Sequence, residues 1–252
     1  MTVLLSATNI GKLYGLRPVL RGISLDVAHG EFVAILGANG AGKTTLLRIL
    51  ATLARPNGGT LIIGGTDALA HPDRARACIG LVSHQSLIYP DLTARENLEF
   101  YGRMYGAANR RLEIRDSSAQ SAISNLPISD LSSRIEEVLR RVNLWQRRDD
   151  LARTFSRGMI QRLTIARAIL HDPPLLLMDE PFTGLDQASA ANLSALLRDA
   201  ALANRAVVMT THELSRGLDG VTRALILKGG RIAHELHHDI TAEALTALMA
   251  DA

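Results

Sequence analysis

The chain is short of the residues that staple or decorate small secreted folds. Cys78 is its single cysteine among 252 residues, which excludes an intrachain disulfide and any multi-cysteine metal site. Nothing in the composition calls for an oxidising compartment. Aromatic residues make up only 4% of the chain, and lysine is nearly absent, Lys12, Lys43 and Lys228 standing against a large excess of arginine. The net charge of +3 is modest, and the arginines form neither a dense block nor a patch interleaved with aromatics. A compositional bias accounts for them better than a nucleic-acid footprint. No apolar run approaches the roughly 18 residues that a membrane span requires. The N-terminal MTVLLSATNIGKLYG lacks the basic region and the apolar length of a signal peptide. The expectation is a cytosolic protein that reaches a membrane, if it does, through a partner.

What is present points to a large α/β domain. Hydrophobic residues make up 47% of the chain, enough for a sizeable core at this length. EFVAILG (31–37), PLLLMDE (174–180), AVVMTTH (206–212) and ALILKGGRI (224–232) are continuous apolar runs bounded by turn signals. Such runs suit buried strands of a mainly parallel sheet with helices on both faces. GISLDVAHG and GTLIIGG alternate instead, as antiparallel strands flanking the core do. The middle, from about 90 to 155, reads as helical, polar and Arg-rich. Within it, residues 106–134 are rich in Ser, Asn, Asp and Arg with weak periodicity, and read as a loop-like surface insertion. TAEALTALMADA at the C-terminus reads as a short amphipathic helix packed on the domain. No internal repeat or sustained heptad is present.

GANGAGKTT, Gly37 to Thr45, satisfies the phosphate-loop pattern directly after an apolar strand and before the helical TTLLRILATL. Gly37, Gly40 and Gly42 let the backbone curl so that successive N–H groups, with those of Asn39 and Thr45, face phosphate oxygens, and a helix N-terminus adds partial positive charge. Lys43 is expected at the β- and γ-phosphates and Thr44 on Mg²⁺. LLLMDEP ends a buried strand in two carboxylates. Asp179 is expected to help hold Mg²⁺, and Glu180 to polarise a water for attack on the γ-phosphate. His212 ends another strand of the same sheet, where ligands of open α/β folds bind. It would hydrogen-bond a γ-phosphate or position the attacking water; a purely structural histidine is the bland alternative. Gln85 opens a loop after a short strand, within reach of Mg²⁺ or the water. Tyr14, between Lys12 and Gly15, would stack on a base or pack in its loop.

TFSRGMIQR (154–162) poses a question of its own. Ser156 is a good N-cap before a periodic helix, and the same Ser, Gly158 and helix N-terminus would also grip a phosphate.

Taken in order, these elements resemble the ATP-binding cassette (ABC) ATPase family over nearly the whole chain. Tyr14 fits the adenine-stacking aromatic, Gly37–Thr44 the Walker A loop, Gln85 the Q-loop glutamine, and TFSRGMIQR the signature. LLLMDE fits the Walker B strand, Gly184–Asp186 the D-loop, and His212 the switch histidine. The family pattern LSGGQ reads FSRGM here, with Arg157 in place of a glycine and Met159 in place of the glutamine. The resemblance implies a P-loop fold with a mainly parallel core sheet, an antiparallel β subdomain and a helical subdomain near 90–155, all within one domain over 1–252. It implies an ATPase using ATP and Mg²⁺, with ATP sandwiched between two cassettes. Ser156, Gly158 and Asp186 would then meet the nucleotide of the partner cassette.

The resemblance further implies a separate transmembrane permease on whose cytoplasmic side the chain sits, no nucleic-acid partner, and no direct contact with the transported substrate. SHQSLIYPDLT around Gln85 resembles the cassettes of haem exporters for cytochrome c biogenesis. SRGM also fits drug- and polysaccharide-export cassettes. A soluble relative such as an Fe–S assembly factor is the alternative of another class. His71, His84, His234, His237 and His238 read as ordinary polar residues.

Overall fold

The computed structural model describes residues 2–115, 131–212, 217–238 and 240–251. Two sheets share the work. The first is antiparallel, in the order β2-β1-β4-β5, and consists of β1 (Val3–Tyr14), β2 (Arg17–Ala28), β4 (Gly58–Ile63) and the two-residue β5 (Thr66–Asp67). Its strands bury one face only, as their alternating pattern requires: Ile23, Leu25 and Val27 are inside while Gly22, Ser24 and Asp26 are outside.

The second sheet runs β10-β9-β3-β8-β7-β6. It is built from β3 (Phe32–Leu36), β6 (Ile79–Val82), β7 (Leu175–Asp179), β8 (Ala206–Thr210), β9 (Arg223–Lys228) and β10 (Arg231–Leu236). All neighbours are parallel except the β9–β10 pair. In β3, β7 and β8 every residue is buried. Because successive side chains point to opposite faces, β3 feeds two cores at once. Phe32, Ala34 and Leu36 pack into a core shared with the larger helices, while Val33 and Ile35 pack against the first sheet and the helix α1 (Lys43–Leu50). That double burial is why these runs carry no polar alternation.

The ALILKGGRI run is not one strand. Gly229 and Gly230, at φ 54° and 78°, turn the chain, and β10 returns antiparallel to β9 with Arg231 opposite Lys228. A glycine pair between apolar runs is a hairpin signal, and its two residues outweigh the hydrophobicity on either side.

After α2 (Pro72–Ala77), the helical middle contains α3 (Ala94–Arg115) and α4 (Leu131–Arg141). The expected loop at 106–134 is therefore corrected at both ends: 106–115 continue α3 and Leu131–Arg134 open α4, while 116–130 lie outside the described residues. A capping box starts α3, Thr93 and Glu96 exchanging side chain-to-backbone bonds of 2.8 and 3.1 Å. Arg134 is a structural residue. Its guanidinium donates to the carbonyls of Ile169 (2.8 Å) and Leu170 (3.1 Å), closing the end of α5 (Arg157–Ile169). Beyond it come α6 (Gln187–Leu202) and α7 (Ala242–Asp251), which buries Leu245 as the amphipathic reading expects.

The strand order puts the carboxyl ends of β3, β8 and β7 side by side, with β6 next in line. The loops carrying Lys43, His212, Glu180 and Gln85 therefore leave one edge of the sheet, where open α/β folds bind ligands.

Candidate functional site

The loop after β3 is shaped by backbone contacts that only glycine allows. At Gly37, φ is 147° and a Cβ would lie 2.4 Å from the Leu227 carbonyl oxygen, inside the backbone of β9. At Gly40 a Cβ would meet nothing within 4 Å, so that position faces open space along the cleft wall. No side chain caps the N-terminus of α1, which leaves its first-turn N–H groups for a ligand. Lys43 is only 7% exposed; its ammonium donates to the carbonyls of Gly37 (2.8 Å) and Ala38 (3.3 Å). An ammonium has three protons, so Lys43 braces its own loop with two and keeps a third for an anion.

The end of β7 supplies the carboxylates. Asp179 is nearly buried, and one of its oxygens accepts from Thr44 Oγ1 (3.1 Å) and Thr210 Oγ1 (2.7 Å). Glu180 has φ 51°, a left-handed conformation that costs a non-glycine residue on the order of 1–2 kcal/mol. Two bonds from its own N–H, to the Thr210 carbonyl (3.2 Å) and hydroxyl (3.1 Å), hold it there. The bend brings Glu180 Oε2 to 2.6 Å from His212 Nδ1. When that nitrogen carries the proton the ring donates to the carboxylate, and Nε2 stays available as an acceptor.

Tyr14, Asn39, Gly40, Gly42, Lys43, Thr44, Thr45, Glu180 and His212 all line one cleft of about 860 Å³. Tyr14 is half exposed. Lys12 Nζ sits 5.2 Å from its ring centroid and is anchored by a 2.7 Å bond to the Arg55 carbonyl. The cation thus occupies one face of the ring, and the other is left for a base.

Several cleft residues escaped the sequence reading. Arg17 and Arg21 line the wall with no ion pair of their own among the described residues. No strand pattern flagged them, because β2 shifts register between Pro18 and Leu20, opposite Leu13 and Lys12, and the two-residue alternation is broken there. His84, expected as an ordinary polar residue, lies on the cleft wall, whereas its neighbour Gln85 is exposed outside it. The Gln85 carbonyl accepts from Ser83 Oγ at 2.8 Å. Asn97, fully buried, was also missed. Its amide bonds Tyr89 through both N–H and carbonyl and reaches the carbonyls of Leu92 and Thr93, pinning the loop that follows Gln85.

Ser156, Gly158 and Asp186 are not in this cleft; they form a second face. Ser156 caps α5, accepting from Met159 N–H at 3.3 Å, so the plain helix cap is real. Asp186 caps α6, accepting from Ser189 N–H at 2.7 Å, and this bond holds its carboxyl below the ordinary aspartate range. Both side chains are exposed.

Residues 20–183 match the ABC transporter family. The chain belongs to that family. Its relatives include the Nod factor export ATP-binding protein I of Ralstonia nicotianae (strain ATCC BAA-1114 / GMI1000), 33% identical over 240 residues, which span 95% of this chain and 69% of that one. The linearmycin resistance ATP-binding protein of Bacillus subtilis (strain 168) is 34% identical, over 83% of this chain and 61% of that one. Among solved structures, the ATP-binding subunit of an ABC transporter superposes with TM-score 0.83 at 25% identity, covering 98% of this chain and 99% of that one. A dimeric cassette in a post-hydrolysis state, bound to ADP and Pi, gives TM-score 0.76 at 26% identity, over 92% and 98%.

The ABC cassette fold and the ATPase class expected from the sequence are thereby established, and the cofactors are ATP with Mg²⁺. No three His, Cys, Asp or Glu side chains gather into a metal site among the described residues. The donors present are instead the Thr44 hydroxyl and the Asp179 carboxylate, hard oxygens 3.1 Å apart. That set fits Mg²⁺, which takes few protein ligands and completes its shell with phosphates and water. Held by Thr44 and Asp179, the ion would supply positive charge to offset that of the phosphates. No helix among the described residues is long and apolar enough to cross a membrane.

Proposed function

We propose that this cassette, acting as one unit over 1–252 with its helical part near 90–155, hydrolyses ATP to drive a membrane exporter. The contact between Glu180 and His212 at 2.6 Å, beside the Lys43 loop, carries the reading. Glu180 takes the proton of the attacking water, His212 fixes the carboxylate through Nδ1 and, as an acceptor at Nε2, orients the water, and Lys43 and the α1 N-terminus hold the phosphate chain. Thr44 and Asp179 hold the Mg²⁺, Gln85 joins them when the cassette closes on nucleotide, and Tyr14 stacks on adenine. Ser156, Gly158 and Asp186 face outward in the single chain, which supports their use on the nucleotide of a second cassette.

The chain works at the cytoplasmic face, through a separate permease. Leu87, Tyr89, Phe100 and Met104 are exposed and between 42% and 52% accessible. Tyr89 and Phe100 meet edge to face at 5.0 Å. In a chain with so few aromatics, that patch beside Gln85 supports docking of an apolar permease segment. The relatives that export Nod factor or confer linearmycin resistance support export as the direction. A haem cargo is a second reading, favoured by the SHQSLIYPDLT pattern alone.

The test is capture of tagged Glu180→Gln protein with ATP from gently solubilised native membranes. A stoichiometric multi-span protein is expected, and its class identifies the cargo. Recovery of soluble partners alone would overturn the transporter role and leave the ATPase chemistry intact.

A further inference from the structure

Arg157 stands where the resembled signature pattern has glycine, and its side chain does something a glycine cannot. A Cβ built on Gly184 would lie 3.2 Å from Arg157 Cγ, 3.0 Å from Cδ and 2.9 Å from Nε. The stem of Arg157 therefore runs directly across Gly184, occupying the room that a side chain there would need. Gly184 has φ 80°, so glycine is favoured at that turn for its backbone as well. Two neighbours in the first turns of α5 make the same approach. A Cβ on Gly158 would sit 3.4 Å from the Gly184 carbonyl oxygen, and Gln161 Nε2 donates to the Pro181 carbonyl at 2.9 Å.

The segment they grip, Pro181–Gly184, follows Glu180 without a break. It is folded back on that residue by the bond from Thr183 N–H to the Glu180 carbonyl (3.2 Å), and Leu185 N–H closes the next turn on the Phe182 carbonyl (3.1 Å). Glu180 itself is in a left-handed conformation and is held on its other side by Thr210. A residue so poised depends on what fixes the chain at both ends.

We infer that Arg157 is a positioning residue: its stem clamps Gly184 and, with Gln161 on Pro181, fixes the exit of Glu180 to the N-terminal turn of α5. The signature helix and the carboxylate of the same chain then move as one piece. This rests on the reading of Glu180 as the base that serves ATP. The contact runs along Cγ and Cδ and ends at Nε, a stretch that an uncharged, unbranched side chain of the same length reproduces, so the clamp needs reach and not charge.

Arg157→Ala and Arg157→Met separate these. Alanine keeps helix propensity but removes the stem; methionine keeps an unbranched stem without the charge. Hydrogen exchange is followed at Thr183 and Leu185, alongside steady-state ATP hydrolysis by the full chain. In Arg157→Ala, exchange is expected to rise and kcat to fall, each roughly tenfold, with KM for ATP unchanged within about twofold, the mark of an effect on the chemical step rather than on binding. Arg157→Met is expected to restore both. Unchanged exchange in Arg157→Ala, or faster exchange with an unchanged kcat, would overturn the inference. So would a methionine variant that behaves like alanine, because charge would then be the active property. If the wild-type chain itself fails to turn over ATP, the proposed function fails, while the exchange data still decide whether the clamp exists.

Discussion

The cleft and the face formed by α5 and α6 are made from the same kinds of residue in opposite states of completion. In the cleft, Thr44, Asp179, Thr210, Glu180 and His212 are bonded to one another across loops that the sheet brings together, and Lys43 braces its own loop. On the other face, Ser156 and Asp186 bond to groups no more than three residues on and leave their surfaces to solvent. The first arrangement is prepared within one chain. The second has local order, with Ser156 and Asp186 both exposed. On the proposed function binding and timing are then separable: one face takes the nucleotide, and the other serves a second cassette.

The separation is tested most severely by Glu180→Gln. Turnover is expected to fall by about 10²–10⁴-fold, as loss of a general base does, while nucleotide affinity of the single chain stays within twofold. Stopped-flow nucleotide binding beside a phosphate-release assay reads both. A variant that loses affinity along with turnover would merge what the geometry keeps apart.

The next effect concerns the scaffold that both faces share. His171, at the far end of α5, is buried, with Nε2 3.1 Å from the Ile79 carbonyl and no partner for Nδ1. Burial drives its pKa from 6.5 down to about 4, so the fold holds it neutral. The unfolded chain binds this proton at higher pH, hence the stabilisation is complete above pH 6.5 and is lost as pH falls from there towards 4. The full loss is on the order of 3 kcal/mol. Urea midpoints between pH 7 and pH 5 should fall in the wild type, and the part of that slope due to His171 should vanish in His171→Leu.

A smaller effect belongs to the cleft alone. Arg17→Ala with Arg21→Ala is expected to weaken ATP binding about tenfold, or roughly 1.4 kcal/mol, and to flatten its salt dependence. Binding of uncharged adenosine should not change. Smallest is Ser156→Ala, which removes a cap typically worth about 1 kcal/mol of stability. It should leave single-chain ATP affinity untouched while weakening ATP-dependent association in the Glu180→Gln background.

The same contrast explains what was readable in the sequence. Gly37–Thr45 and Leu175–Glu180 were legible because a phosphate loop and a doubly buried strand impose both residue type and spacing. Arg17, Arg21 and His84 were not, since their place in the cleft depends on the first sheet folding over the second. The Gly229–Gly230 turn had a local signal that the apolar run around it obscured. Arg134 read as part of a polar insertion, although its partners are carbonyls 35 residues and more along the chain, a relation no local pattern carries. The 2.6 Å meeting of Glu180 with His212 depends on the strand order and on a left-handed bend at a residue type that seldom adopts one.

Asn97 has a consequence of another kind. By fixing the path of 89–93 from inside, it relieves the outward side chains there of any duty to hold the loop's shape. The Tyr89 side chain, at the start of that stretch, can therefore change without loosening the bonds that hold its backbone. A single buried amide thus makes the surface at Tyr89 evolvable: with a permease docked there as proposed, the side chain can be retuned to a new partner while the backbone beneath it stays fixed.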